Sequence, residues 1–193
     1  MSDHPAILAA GDRVAIRPYA LTDADEFTAR ARESERLHRP WLFPPADPAT
    51  YADYAGRLIE DPTKYGFLVC ERAGDGPESG PIAGFININN VVLGGFRCGA
   101  LGYGAFAHAA GRGLMSEGLG LVTGYAFGTL GLHRLEINAQ PRNVASIALA
   151  RRAGFRREGF SPDFLFIDGA WRDHERWALT AEMVSARTAP ASG

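Results

Sequence analysis

The large apolar residues Val14 and Ile16 recur at period two within Arg13-Val14-Ala15-Ile16-Arg17, which stops at Pro18, a pattern that predicts a strand. The spacing then changes. Acidic residues follow Thr22 in Leu21-Thr22-Asp23-Ala24-Asp25-Glu26, predicting a helix capped by Thr22 and running to about Leu37. Residues 38–45 contain three prolines and two large aromatics, Trp41 and Phe43, which predicts an ordered irregular loop over a pocket. A second helix is expected over 48–60, with Pro48 in its first turn, and a strand over 65–71. A glycine-rich turn at 73–80 leads into another strand over 81–91.

Over 98–107 the alternation places Leu101, Tyr103 and Ala105 on one strand face and Gly102 and Gly104 on the other, leaving a face without side chains. Gly111-Arg112-Gly113 follows, and apolar residues then recur at helical spacing from Leu114 to about Leu130. Residues 132–139 read as a strand with Leu135 and Ile137 facing one way and Glu136 and Asn138 the other. Asn143 is placed to cap a helix over 144–153 that ends at Gly154. A hairpin turning at Asp168-Gly169, with its second strand over 171–183, completes the pattern; the small polar residues from Ser185 onward read as a frayed tail. No repeat and no composition shift divides the chain. The expected architecture is one mixed α/β (α+β) domain, residues 1–193, around a sheet.

Composition changes this picture in one place. There are 23 glycines in 193 residues, against roughly 7% in ordinary proteins, and no collagen period accounts for them. Charge is unremarkable: 20 basic and 22 acidic residues give a net charge of −2, so no bulk field favours nucleic acid or an anionic membrane as a partner. No apolar run spans a bilayer and no leader pattern stands at the start, so a cytoplasmic location is expected. Cys70 and Cys98 lie inside apolar segments without metal-ligand spacing, and read as small buried hydrophobes rather than metal ligands.

Gly111-Arg112-Gly113 between a strand and a helix suits an anion, because the first N–H groups of a helix lack partners and its dipole is positive there. The segment has neither the full dinucleotide fingerprint nor the Gly-Lys-Ser/Thr of a nucleoside-triphosphate loop. A tight turn that needs glycine for its backbone alone is the competing reading.

Five ordered motifs decide between them. Leu101-Gly102-Tyr103, the run from Ala110 to Leu119, Leu132-His133-Arg134-Leu135-Glu136, Asn143-Val144-Ala145-Ser146 with Gly154-Phe155, and the run from Asp168 to His174 together resemble the GNAT acyltransferase superfamily. Within it they are similar to the ribosomal-protein N-terminal alanine acetyltransferases, the Rim-type group; Arg39-Pro40-Trp41 is similar too. The likeness covers about residues 12–183. One departure stands out: the family loop reads Gln/Arg-x-x-Gly-x-Gly/Ala, whereas Ala110 stands first here and Met115 last.

The resemblance implies a mostly antiparallel, twisted sheet flanked by helices, with a splayed strand pair that takes the cofactor. It implies acetyl-CoA as donor, no metal, and a primary amine as acceptor, either a protein N-terminus or a small molecule, attacking directly in a ternary complex. A homodimer is plausible for the group. A non-catalytic acyl-CoA-binding module is the alternative of another class. Tyr103, Ala105 and Phe106 would lie along the pantetheine, with a backbone N–H there serving the thioester oxyanion. Gly111, Arg112, Gly113, Leu114 and Met115 would hold the pyrophosphate, with Asn138, Asn143 and Arg151 as further cofactor contacts. Arg152, beside Arg151, could likewise reach the 3′-phosphate. Ser146 matches a hydroxyl that protonates the departing thiolate. Asp163 and Glu136 are the candidate general bases, and Trp41 and Phe43 the candidate acceptor-pocket residues. His108 and His133 are read as ordinary hydrogen-bonding histidines.

Overall fold

The computed structural model describes residues 5–72 and 79–188. Its elements are β1 (Ala9–Ala10), β2 (Val14–Arg17), α1 (Ala24–Glu33), α2 (Glu35–His38), α3 (Pro48–Glu60), β3 (Tyr65–Arg72), β4 (Ser79–Val92), β5 (Cys98–Ala105), α4 (Leu114–Gly128), β6 (Arg134–Ala139), α5 (Val144–Arg152), β7 (Arg156–Ile167), β8 (Ala170–Thr180) and α6 (Ala181–Thr188). Short 3-10 turns at Leu21–Asp23 and Ala107–Ala109 precede α1 and follow β5.

The eight strands form one sheet in the order β1-β2-β3-β4-β5-β6-β8-β7. Every neighbouring pair is antiparallel except β5 and β6. That parallel pair is short: its register runs from Cys98 opposite Arg134 to Leu101 opposite Ile137 and stops. Beyond Leu101, β5 continues to Ala105 paired only with β4, while β6 continues to Ala139 paired only with β8. The sheet therefore opens as a wedge between the C-terminal ends of β5 and β6.

Helices cover the two faces on either side of this wedge. On one, Leu119, Val122 and Ala126 of α4 and Leu149 and Ala150 of α5 pack with Ile86, Ile88, Leu101, Leu135 and Ile137. On the other, Phe27 of α1 sits 5.0 Å from the Tyr51 ring of α3 and 5.2 Å from Phe106, making an aromatic core. Cys70 and Cys98 are both buried free thiols.

Several boundaries depart from the pattern-based expectation. The helix expected over 22–37 is broken at Ser34, whose hydroxyl donates back to Arg30 O (2.6 Å) and accepts the Ala107 N–H (2.8 Å). Thr22 is not its cap. Asp23 stands at the N-cap position without a side-chain capping bond to α1; its carboxylate instead accepts the Ala20 N–H (2.9 Å) across the preceding 3-10 turn and holds the buried guanidinium of Arg17 at 2.7 and 2.8 Å. The strand expected from residue 132 begins at Arg134, because the buried Leu132 still donates its N–H to Ala126 O at the end of α4. The last strand ends at Thr180, and α6 replaces the frayed segment expected from Ser185, with Arg187 reaching Ala153 O (2.8 Å). The expected turn at 73–80 lies outside the described residues over 73–78, as does the tail over 189–193. The Asp168-Gly169 turn forms as expected, both residues having positive φ (51° and 74°).

Candidate active site

Glycine in β5 plays a different part from the one its alternation suggested. A Cβ on Gly104 would stand 2.8 Å from the Phe85 ring, so that face is filled by a neighbouring side chain. What is open is the strand's edge. Phe106 donates its N–H to Ala83 O in β4 (2.9 Å). Because successive residues point their polar groups to opposite edges, Tyr103 and Ala105 turn theirs toward the wedge. The Ala105 carbonyl accepts a hydrogen bond from His38 Nε2 (2.7 Å). That fixes the proton on Nε2 and leaves Nδ1 buried without a partner. Burial keeps the His38 pKa below the ordinary histidine value, against the pull of the Ala105 bond.

The loop before α4 is shaped by its backbone. Gly111 and Gly113 have φ of 75° and 79°, and Gly113 is the residue at the start of the helix. The N–H groups from Gly111 through Met115 have no acceptor among the described residues, whereas those of Ser116 and Glu117 return to Gly113 O. Five successive donors at a helix N-terminus suit a phosphate group. The loop is braced from behind. Arg13 donates to Arg112 O (2.9 Å) and pairs with Glu117 (3.0 Å), while Glu117 Oε1 accepts the N–H groups of Arg13 and Val14 (2.8 and 3.2 Å). Arg112, expected on the anion, aims its guanidinium at Glu71 in a two-pronged pair (2.7 and 2.8 Å). That bond holds the Glu71 carboxyl below its usual pKa. Arg112 therefore offers the anion its N–H alone.

Across the wedge, the Asn143 side chain caps α5 by accepting the Ser146 N–H (3.1 Å). The Ser146 hydroxyl lies 2.8 Å from the Tyr103 hydroxyl, joining α5 to β5. Burial pushes the Tyr103 phenol up to about 12, with the Ser146 contact opposing, so it stays protonated at neutral pH.

A cavity of about 500 Å³ connects these parts. It brings together Trp41, Tyr103, Ala105, Gly111, Gly113, Met115, Asn143 and Ser146 of the expected residues. Arg152, expected near the 3′-phosphate, lines it too, and so do residues that pattern reading missed, among them His38, Leu42 and Ser116. Other expected residues lie elsewhere. Phe106 and Leu114 are buried in the core. Phe43 lies in a smaller neighbouring hollow beneath the Arg39 guanidinium, 4.8 Å from it. Arg151 stacks over Trp177 at 5.8 Å. Asn138 accepts from Arg176 (2.6 Å), and Glu136 is held between Arg134 (2.8 Å) and Arg176 (3.0 Å). Asp163 sits in a bulge of β7 at φ 46°, its N–H donated to Asp173. Of the two histidines set aside, His133 pairs with the exposed Glu182 and His108 stands near Glu71.

Comparison with known proteins gives this arrangement a family. The acetyltransferase (GNAT) domain model matches residues 13–156, and the chain belongs to that family of N-acetyltransferases. It is 42% identical over 104 residues to the [ribosomal protein uS5]-alanine N-acetyltransferase of Escherichia coli K12, a match that spans 54% of either chain. The chain thus covers just over half the length of this relative. It is 28% identical to the probable N-acetyltransferase YjcK of Bacillus subtilis over 88% of this chain and 94% of that one. Among solved structures, RimJ of Mycobacterium smegmatis in complex with CoA-disulfide superposes with a TM-score of 0.78 at 27% identity, covering 88% of this chain and 82% of that one. The likeness within the family is to its Rim-type members, and the splayed, mostly antiparallel sheet is the GNAT fold.

Proposed function

We propose that this chain transfers the acetyl group of acetyl-CoA to the α-amine of a protein N-terminus by direct attack in a ternary complex. The observation that carries the reading is the wedge between β5 and β6, flanked by five free N–H groups at the start of α4 and by Ser146 at the start of α5. An extended acyl-pantetheine chain can lie along the free edge of β5 as a strand would, with its pyrophosphate on the N–H groups of Gly111–Met115. An Ala105 or Tyr103 N–H then faces the thioester oxygen, where negative charge grows as the amine attacks. As the C–S bond breaks, Ser146 donates its proton to the sulfur and can be resupplied by the neutral phenol of Tyr103, 2.8 Å away.

The ammonium of the acceptor must lose a proton before it attacks. Both Glu136 oxygens are taken by guanidiniums, which leaves neither turned toward an incoming ammonium. Asp163 lies outside the donor cavity but carries no ion pair among the described residues, so it would take the proton only through an ordered water. The protein-amine assignment rests on the Rim-type relatives and on a cavity whose near wall is the loop at Trp41. Thiol release from acetyl-CoA with short peptides beginning in Ala or Ser, against spermidine and aminoglycosides, tests it. Turnover of the peptides is expected; turnover of the small amines alone would overturn the assignment.

A further inference from the structure

A second cavity, about 370 Å³, lies beside the first and is lined by Gln140, Pro141, Arg142, Trp171, Arg172 and Asp173. The two share a wall. Asn143 donates its N–H to Gln140 O (2.9 Å), closing one turn whose far end, Asn143, lines the donor cavity and whose near end lines this one. The ends of such a turn are less than about 7 Å apart.

The lining chemistry is specific. Arg142 is exposed and makes no hydrogen bond or ion pair among the described residues. Arg172 spends only its Nε, on Ile167 O (3.3 Å). Asp173, the single carboxylate, has Oδ1 taken by the Asp163 N–H (2.9 Å). Trp171 has 60% of its surface in water and stands edge-on to Phe166. Tryptophan and arginine together are the residues that most often carry binding energy at protein contacts, and guanidiniums pair best with carboxylates. Of the other acids on these strands, Glu136 is paired with Arg134 and Arg176, and Glu158 with Arg134 and Arg156, so the two guanidiniums of Arg142 and Arg172 outnumber the one carboxylate of the lining, Asp173.

We propose that this cavity is an acceptor subsite that binds the residues following the N-terminal amine and selects acidic side chains among them. An extended peptide advances about 3.3–3.6 Å per residue, so with the amine at the wedge its second to fourth residues cross the shared turn. Trp171 covers the peptide's apolar surface, and Arg142 and Arg172 meet its carboxylates. The inference rests on the protein-amine reading above and fixes the class of acceptor within it.

Three peptides identical except for Glu, Gln or Lys at positions two to four separate the cases. Expected is a kcat/KM at least about tenfold higher for Glu than for Gln, and lowest for Lys, with the preference fading as salt rises. Arg142→Gln should shrink the Glu-over-Gln ratio and Arg142→Lys restore part of it; neither touches a structural partner, so folding is not at issue. Equal rates on the three peptides would overturn the subsite and leave the function standing. If no peptide turns over, the protein-amine reading falls, and the subsite is then judged by binding. Quenching of Trp171 fluorescence by the N-acetylated Glu peptide, absent in Trp171→Phe, supports it, and no quenching overturns it.

Discussion

The two sides of the wedge are built from different material. On the donor side, the contacts offered to a ligand are backbone N–H groups, and side chains such as Arg13, Glu71 and Glu117 serve behind them as braces. On the side where we place the acceptor, side chains make the surface: Trp41 on the loop after α2, and Trp171 and Arg172 on the β7–β8 hairpin, with Trp171 exposed. A backbone cradle reads only the shape and charge common to every phosphate. An exposed side-chain wall changes with each substitution. The comparison teaches that one fold can keep its donor and vary its acceptor, because the two sets of contacts are carried by independent parts of the chain.

Ser146 lies at the seam, so its removal tests chemistry apart from either wall. Ser146→Ala should lower kcat by about 100-fold, the low end for loss of a general acid, while the affinity for CoA measured by calorimetry changes little. An unchanged kcat would remove Ser146 from the mechanism. The next effect sharpens the contrast itself. Gly113→Val puts a β-branched residue at φ 79° with its Cβ 3.3 Å from the Arg13 guanidinium. Strain of about 2 kcal/mol would misplace the N–H groups and weaken acetyl-CoA binding by about 30-fold. Thermal melting checks that the variant is folded, and normal donor affinity would show that the loop does not hold the pyrophosphate.

The same division explains what could be read before the structure. The turn before α4 was legible because a glycine pair between strand and helix reports backbone conformation, which is local. The two-residue hairpin at Asp168-Gly169 and the Asn143 cap were legible for that reason too. Side-chain destinations were not. Nothing near Arg112 in sequence reveals that its guanidinium belongs to Glu71, 41 positions away, or that Glu136 is neutralised by Arg176, 40 positions away. Face alternation placed Gly102 and Gly104 correctly on one side of β5, yet the Phe85 ring fills the space at Gly104 and the opening is in the plane of the sheet. Ser34 carried no breaker signal, since its role depends on the Ala107 N–H far along the chain. His38 was passed over as part of a proline-rich loop; its neighbours Arg39-Pro40-Trp41 were the available hint that the segment is ordered against the site.

His38 joins the two walls, since it belongs to α2 and grips the β5 edge through Ala105 O. It also gives the smallest and most local of the expected effects. Burial depresses its native pKa below the ordinary histidine value of 6.5, so the folded protein disfavours the protonated ring. The stability this provides is fully present above pH 6.5 and is lost as pH falls toward and through the lowered native value. His108 and His174 are depressed by burial in the same direction, so the acid sensitivity is shared among three rings. His38→Gln keeps an N–H for Ala105 O and removes one of the three. Urea unfolding at pH 7.5 and pH 5.5 should show a smaller acid-induced loss in His38→Gln than in the parent protein, with near-equal stability at the higher pH. A pH dependence identical in the two proteins would mean that the ring clamping the β5 edge is not among the groups that titrate there.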